Sequence, residues 1–152
     1  YMYIQKIRYA DRFTLITDIP EDLLQTSICK LTLQPLVENC INHAFADLDE
    51  QGIIELAARR ENGDIIITVS DNGPDGIVDI NELNLQVNKK FDPDEPVEKY
   101  GIHNINQRIH LYFGNEYGLS YKKNIPHGLT AEVRIKELKY GENINTNGGR
   151  AI

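Results

Sequence analysis

Three short segments concentrate residue types able to bind a metal, hold an amine or receive an anion. In LTLQPLVENCINHAF (31–45), Glu38, Asn39, Asn42 and His43 fall within roughly 140° of arc at helical spacing, while Leu33, Leu36, Val37, Cys40, Ile41 and Ala44 occupy the other side. An amphipathic helix alone marks only a solvent boundary. A plain solvated face prefers Lys, Glu and Arg, however, and this one offers two Asn and a His, short side chains suited to a metal and phosphate oxygens. An Asn carbonyl is a hard oxygen of the kind Mg²⁺ accepts while keeping most of its waters. In ITVSDNG (67–73), a run of β-branched residues leads into Asp71 and then Gly73. A carboxylate at a strand end can accept a hydrogen bond from an exocyclic amine, and a missing Cβ lets a flat ring approach the backbone; equally, Asp-Asn-Gly is a common turn. In KYGIHNINQRI (99–109), Gly101 leads into a helix whose first unpaired N–H groups could face an anion, though a glycine before a helix is often just a chain reversal.

The elements that must carry these segments can be read from hydrophobic period. Residues 1–11 place Tyr1, Ile4 and Ile7 at helical spacing, the tail of an incoming linker or dimerisation helix. A strand-like run holds Phe13, Leu15 and Ile16, and Glu21 and Asp22 suit a first helical turn. Residues 31–45 form the best helix. Residues 53–60 and 64–70 read as paired strands joined at Asn62-Gly63, a tight hairpin turn. From 74 to 100 the chain is rich in Pro, Asp and Asn, with one possible short helix over 81–89. So long a stretch inside a small domain reads as a lid; lacking apolar anchors, it is expected to be mobile when no ligand is bound. A helix over 101–113 and strands over 119–123 and 130–136 complete a domain spanning 12–138, followed by a polar, flexible tail over 139–152. The order predicts an α+β sandwich, one mixed sheet under a helical layer.

At 152 residues the chain is long enough for one core. Its net charge of −7 opposes binding to nucleic acid or an anionic membrane surface, which require a basic face. It does not oppose a triphosphate neutralised by local donors and a divalent ion. Cys29 and Cys40 lack ligand-like spacing and read as buried free thiols. No apolar run approaches membrane-spanning length.

In this order and spacing, the three segments resemble the N, G1 and G2 boxes of the GHKL superfamily. LQPLVENCINHAF is similar to the LQPLVENAIKHG helix of YesM/LytS-like sensor histidine kinases, IQKIRYADRF to their IQKIRYGDRF, and IHNINQRIHLYFG to their GLKNVNERLRLLYG. The resemblance covers roughly residues 3–136. It implies the Bergerat fold, a two-layer α/β sandwich with a mostly antiparallel mixed sheet and an ATP lid. It implies ATP and Mg as cofactors: Asn39 ligating the metal, Glu38, Asn42 and His43 beside the phosphates with Glu38 and His43 as catalytic candidates, and Asp71 holding the adenine amine. Gly73, Gly76, Gly101 and Ile102 would follow the nucleotide with backbone, Asn104 would contact it, Arg108 would contact it or hold the lid, and Thr130 would stand near the adenine pocket. Three departures are visible: Gly76 is displaced by one from the usual Asp-x-Gly-x-Gly, Lys99 replaces the first glycine of a Gly-x-Gly pair, and Asn42 and Ala44 replace the usual Lys and Gly.

Hydrolytic relatives carry a general-base Glu four residues before the metal-binding Asn; here that position is Pro35, which cannot activate water, and Glu38 is rotated about 100° from Asn39. The expectation is therefore phosphoryl transfer to a histidine lying upstream of this sequence, on a dimerising region of the same protein, for relay to a response-regulator receiver domain. His103, His110 and His127 read as surface or packing residues. The domain is expected to be cytoplasmic, part of a membrane-anchored sensor, with no membrane contact of its own. The alternatives are a degenerate nucleotide-binding or interaction module without turnover and an anti-sigma-factor-type serine kinase.

Overall fold

A computed structural model describes residues 13–26, 28, 32–44, 51–75, 78–89 and 101–138 of the chain, without the side chains of His43 and Ala44. The expected incoming helix over 1–11, Cys29, Gly76, the segment 90–100 and the tail from 139 lie outside the described residues.

β1 (Phe13–Asp18), α1 (Leu33–Asn39), β2 (Gly52–Glu61), β3 (Asp64–Asp71), α2 (Ile80–Val87), α3 (Gly101–Phe113), β4 (Gly118–Lys123) and β5 (Leu129–Lys136) follow one another along the chain, with a 3₁₀ turn at Glu21–Leu23. The strands form a five-stranded sheet in the order β1-β2-β3-β5-β4. β1 runs parallel to β2, and every other pairing is antiparallel. This is the α+β sandwich with one mixed sheet that the pattern of elements predicts, mostly antiparallel as the resemblance implies. At the β2–β3 turn, Asn62 and Gly63 adopt φ of 55° and 87°, the positive pair a type I′ hairpin requires.

β3 lies mid-sheet and is buried on both faces. Ile65, Ile67 and Val69 point into a core shared with Leu36 and Val37 of α1 and Ile109 of α3. Ile66 points the other way and is still fully buried; its register partners are Arg59 and Arg134, whose aliphatic stems can cover it while their heads stay wet. Those heads join a lattice along this face: Arg59 to Glu61 at 3.1 Å and Glu132 at 3.7 Å, Lys122 to Glu132 at 2.6 Å, Arg134 to Glu61 at 2.7 Å. Half-exposed pairs of this kind contribute only about 0–1 kcal/mol each. The sandwich therefore has one apolar face and one ionic face, and the site must lie on the first.

Two findings differ from the sequence-based expectation. The first helix is not uniform: after Asn39 it widens into a π turn over Cys40–Ala44, so the α-helical phase assumed for Asn42 slips. The segment after Gly73 is also not without anchors. Asp79 caps α2, its Oδ1 accepting from the N–H of Asn81 at 2.8 Å and of Glu82 at 3.3 Å, and Val87 is fully buried. Asn84 then treats edge strand β4 as a neighbouring strand would: its Oδ1 accepts the Tyr121 N–H at 2.7 Å and its Nδ2 donates to the Tyr121 carbonyl at 2.8 Å. Composition did not reveal this docking because amide side chains perform it.

Asn106 on α3 makes the second fastening. At 1% exposure, it donates through Nδ2 to the Val87 carbonyl at 3.2 Å and accepts the Leu119 N–H on Oδ1 at 2.8 Å. One amide thereby ties α2, α3 and β4 together. Asn106→Ala leaves a buried N–H and a buried carbonyl without these bonds and is expected to cost about 2–4 kcal/mol in urea unfolding; a loss below about 0.5 kcal/mol would show the bracket to be redundant.

Candidate functional site

Between the helical layer and the sheet lies a cavity of about 630 Å³. Pro35, Leu36, Asn39 and Cys40 form one stripe of α1 along it, at i, i+1, i+4 and i+5. Val69 and Asp71 bring the end of β3, Gly101 and Ile102 the start of α3, and Ile80 and Leu83 the inner face of α2. The walls are largely apolar with a few convergent polar groups, the usual make-up of a small-molecule site. Asn39 and Asp71, far apart in sequence, share this space.

Asp71 is held firmly. It is only 6% exposed, and its Oδ1 accepts the Gly73 N–H at 2.8 Å and the Leu129 N–H at 3.3 Å. Both backbone donors fall on the same oxygen. The β4–β5 connection closes over the turn after Asp71: Asn124 Nδ2 donates to the Asp71 carbonyl at 2.8 Å, and the His127 ring meets the Gly73 carbonyl at 3.3 Å. Gly128 completes the clamp at φ +99°, where an added Cβ would stand 2.0 Å from the Asp71 carbonyl oxygen. At the rim, Lys123 pairs with Asp75 at 3.0 Å, and Asp75 Oδ1 also accepts the Gly128 N–H at 3.3 Å. The Lys123 ammonium and this N–H hold the Asp75 carboxyl below the usual range.

At the inner end, Cys40 and Tyr121 stand close to Asn39 and Asp71. Burial first, and the neighbouring Asp71 charge second, push the Cys40 thiol well above its ordinary value of 9.0; the thiol donates to the Leu36 carbonyl at 3.3 Å. Burial likewise raises the Tyr121 phenol above 10.0. Both groups stay protonated, the thiol engaged with Leu36 and the phenol left as a donor facing the cavity.

The structure gathers some of the sequence-predicted residues and not others. Asn39, Asp71, Gly101 and Ile102 line the cavity, and Gly73 supports Asp71 from beneath. Glu38, Asn42, Asn104, Arg108 and Thr130 are not among its lining residues. Glu38 accepts from Gln34 Nε2 at 3.1 Å, and Asn42 and Asn104 are exposed. Thr130 lies on the opposite face of β5, its hydroxyl 2.9 Å from that of Ser70, because strand alternation turns its neighbours Leu129 and Ala131 toward the cavity instead. The His43 side chain and Gly76 lie outside the described residues. Reasoning from sequence missed Tyr121, Lys123 and Asp75. The first two were accessible in principle, since period-two spacing from buried Leu119 puts 121 and 123 on the inner face.

Gly128→Ala is expected to destabilise the domain by at least about 2 kcal/mol, from backbone strain at positive φ and the clash with Asp71; an unchanged melting temperature would contradict the clamp. Stability should also fall in alkali. The folded-state values of Cys40 and Tyr121 are raised, so their contribution is fully present below the unfolded values of 9.0 and 10.0 and is lost as pH rises toward the folded ones. Each proton kept by the folded chain and released by the unfolded one gives a slope of about 1.4 kcal/mol per pH unit. Unfolding free energies from pH 8 to 11 should decline less steeply in Cys40→Ala/Tyr121→Phe; parallel slopes would refute the assignment.

No protein-family model matches the chain. It is 34% identical over 119 residues, 78% of its length, to the sensor histidine kinase YesM of Bacillus subtilis, and 29% identical over 120 residues, 79% of its length, to the sensor histidine kinase BtsS of Escherichia coli. It spans only 19% of each of these relatives. Among solved structures, the catalytic domain of histidine kinase ThkA in a nucleotide-free form superimposes with a TM-score of 0.61 at 15% identity, covering 90% of this chain and 86% of that one. In sequence the chain is related to sensor histidine kinases, and its fold is that of a histidine kinase catalytic domain.

Proposed function

We propose that this chain is the ATP-binding catalytic domain of a two-component sensor histidine kinase, which binds ATP with Mg²⁺ and directs the γ-phosphoryl to a histidine on a dimerising segment of the same protein, for relay to a response-regulator receiver domain. The observation that carries the reading is that Asn39 and Asp71 line one cavity whose apolar walls and size suit a nucleotide. The Asp71 carboxylate, fixed through Oδ1, accepts from the exocyclic amine of adenine. From the helix that lines the same cavity, Asn39 would offer a carbonyl oxygen to the metal. An ion of the Mg²⁺ kind takes hard oxygen ligands while keeping most of its waters, and the Asn39 carbonyl would be such a ligand. The bound ion would neutralise phosphate charge and leave the terminal phosphorus open to a nucleophile. The backbone N–H groups at the Gly101–Ile102 helix start receive phosphate oxygens.

Pro35 lines the cavity one turn before Asn39. A pyrrolidine ring there can neither take a proton nor orient water, so the site offers positioning and charge neutralisation rather than hydrolysis, which is what phosphoryl transfer to a supplied nucleophile needs. No helix among the described residues is long and apolar enough to cross a membrane. The domain serves a membrane-anchored sensor from its cytoplasmic side, where ATP is available.

Calorimetric titration with ATP·Mg²⁺ tests this. Asp71→Asn removes an acceptor for the amine and is expected to weaken binding roughly 10- to 100-fold, while Asn39→Ala should bind ATP equally with and without Mg²⁺. Wild-type affinity in Asp71→Asn would remove the reading.

A further inference from the structure

The Tyr121 hydroxyl is buried and finds no hydrogen-bond partner among the described residues, although its residue lines the cavity. The Asn39 amide stands near enough to favour its ionised form, yet no group among the described residues reaches hydrogen-bonding geometry with it. A buried hydroxyl facing a cavity calls for a partner. How Tyr121 reaches the site follows from the register. Tyr121 pairs with Ala131, which pairs in turn with Val69, two residues before Asp71 on the same face of β3. Two strand spacings separate β4 from β3, about 10 Å. The small Ala131 between them lets the phenol ring extend back across the sheet toward Asp71. Asn84 grips both the N–H and the carbonyl of Tyr121, so the ring projects from a fixed backbone.

We propose that Tyr121 is a specificity-determining contact of this site, its hydroxyl donating to the ring nitrogen that flanks the exocyclic amine held by Asp71. The proposal rests on the nucleotide reading above and deepens it. Asp71 is an acceptor and Tyr121 a donor, and a 6-aminopurine presents the complementary pair, an amine beside an unprotonated ring nitrogen. A 6-oxopurine presents an oxygen in place of the amine and, at its N1 side, an N–H in place of the acceptor. Such a base would leave both protein groups mispaired, which is the efficient way for a buried site to reject a ligand. The raised phenol value keeps the hydroxyl in its donor form at neutral pH.

The test is titration of wild type, Tyr121→Phe and Asp71→Asn with Mg²⁺ complexes of ATP, 1-deaza-ATP, 7-deaza-ATP and ITP. Tyr121→Phe keeps the ring and its packing, and its melting curve checks the fold. The expected result is a roughly 5- to 30-fold loss of ATP affinity in Tyr121→Phe, no loss for 1-deaza-ATP, which already lacks the acceptor, the full loss for 7-deaza-ATP, and a narrowed preference for ATP over ITP. Equal ATP affinity in wild type and Tyr121→Phe, or the same loss for ATP and both deaza analogues, overturns the contact. If Asp71→Asn weakens ATP while Tyr121→Phe does not, the nucleotide reading stands and the Tyr121 contact falls. Wild-type ATP affinity in Asp71→Asn sinks the nucleotide reading itself.

Discussion

A carboxylate buried at the end of a central strand is the constraint around which the rest of the site is arranged. Asp71 is nearly inaccessible, and burying a charge is costly unless donors meet it. One donor, Gly73, comes from the turn that follows; the other, Leu129, comes from the far side of the chain. The second bond commits the β4–β5 hairpin to lie against the end of β3. Asn124, His127 and Gly128 then have to fit within the same few ångströms, and Gly128 is glycine because the Asp71 carbonyl occupies the space of a side chain. The cavity floor inherits its shape from this one requirement.

The opposite wall is assembled differently. α2 buries one residue fully, Val87, and leaves Leu85 73% exposed. What fixes it is polar: Asn84 on the backbone of Tyr121, and Asn106 between Val87 and Leu119. Hydrogen bonds of this kind fix orientation closely but contribute modestly to net stability. The cavity thus joins a rigid floor of interlocked strands to a wall held at a few points.

Much of this was legible in the residues. The stripe of Leu36, Val37, Cys40 and Ile41 gave the buried face of α1, Asn62-Gly63 gave the hairpin, and the strand leading into Asp71 gave the site's anchor. The shortfalls have physical causes. Helical projection assumes constant turn, so a π turn after Asn39 moved Asn42 off the expected face. The resemblance implied that Thr130 stands near the pocket, but β alternation assigns it to the other face, against Ser70. Asn84, Asn106 and Tyr121 were hidden for a common reason. Their partners are distant backbone atoms or an open cavity, and a one-dimensional pattern carries no trace of such long-range pairing. Proline and asparagine content flagged 74–100 as irregular, while the amides that dock α2 are part of that same composition.

Asn84 has a consequence for how the molecule behaves in a crowd. By satisfying one N–H and one carbonyl on β4, its amide stands in for a sixth strand and closes that border of the sheet to outside chains. The same amide that fastens the cavity wall therefore also covers the border of the sheet.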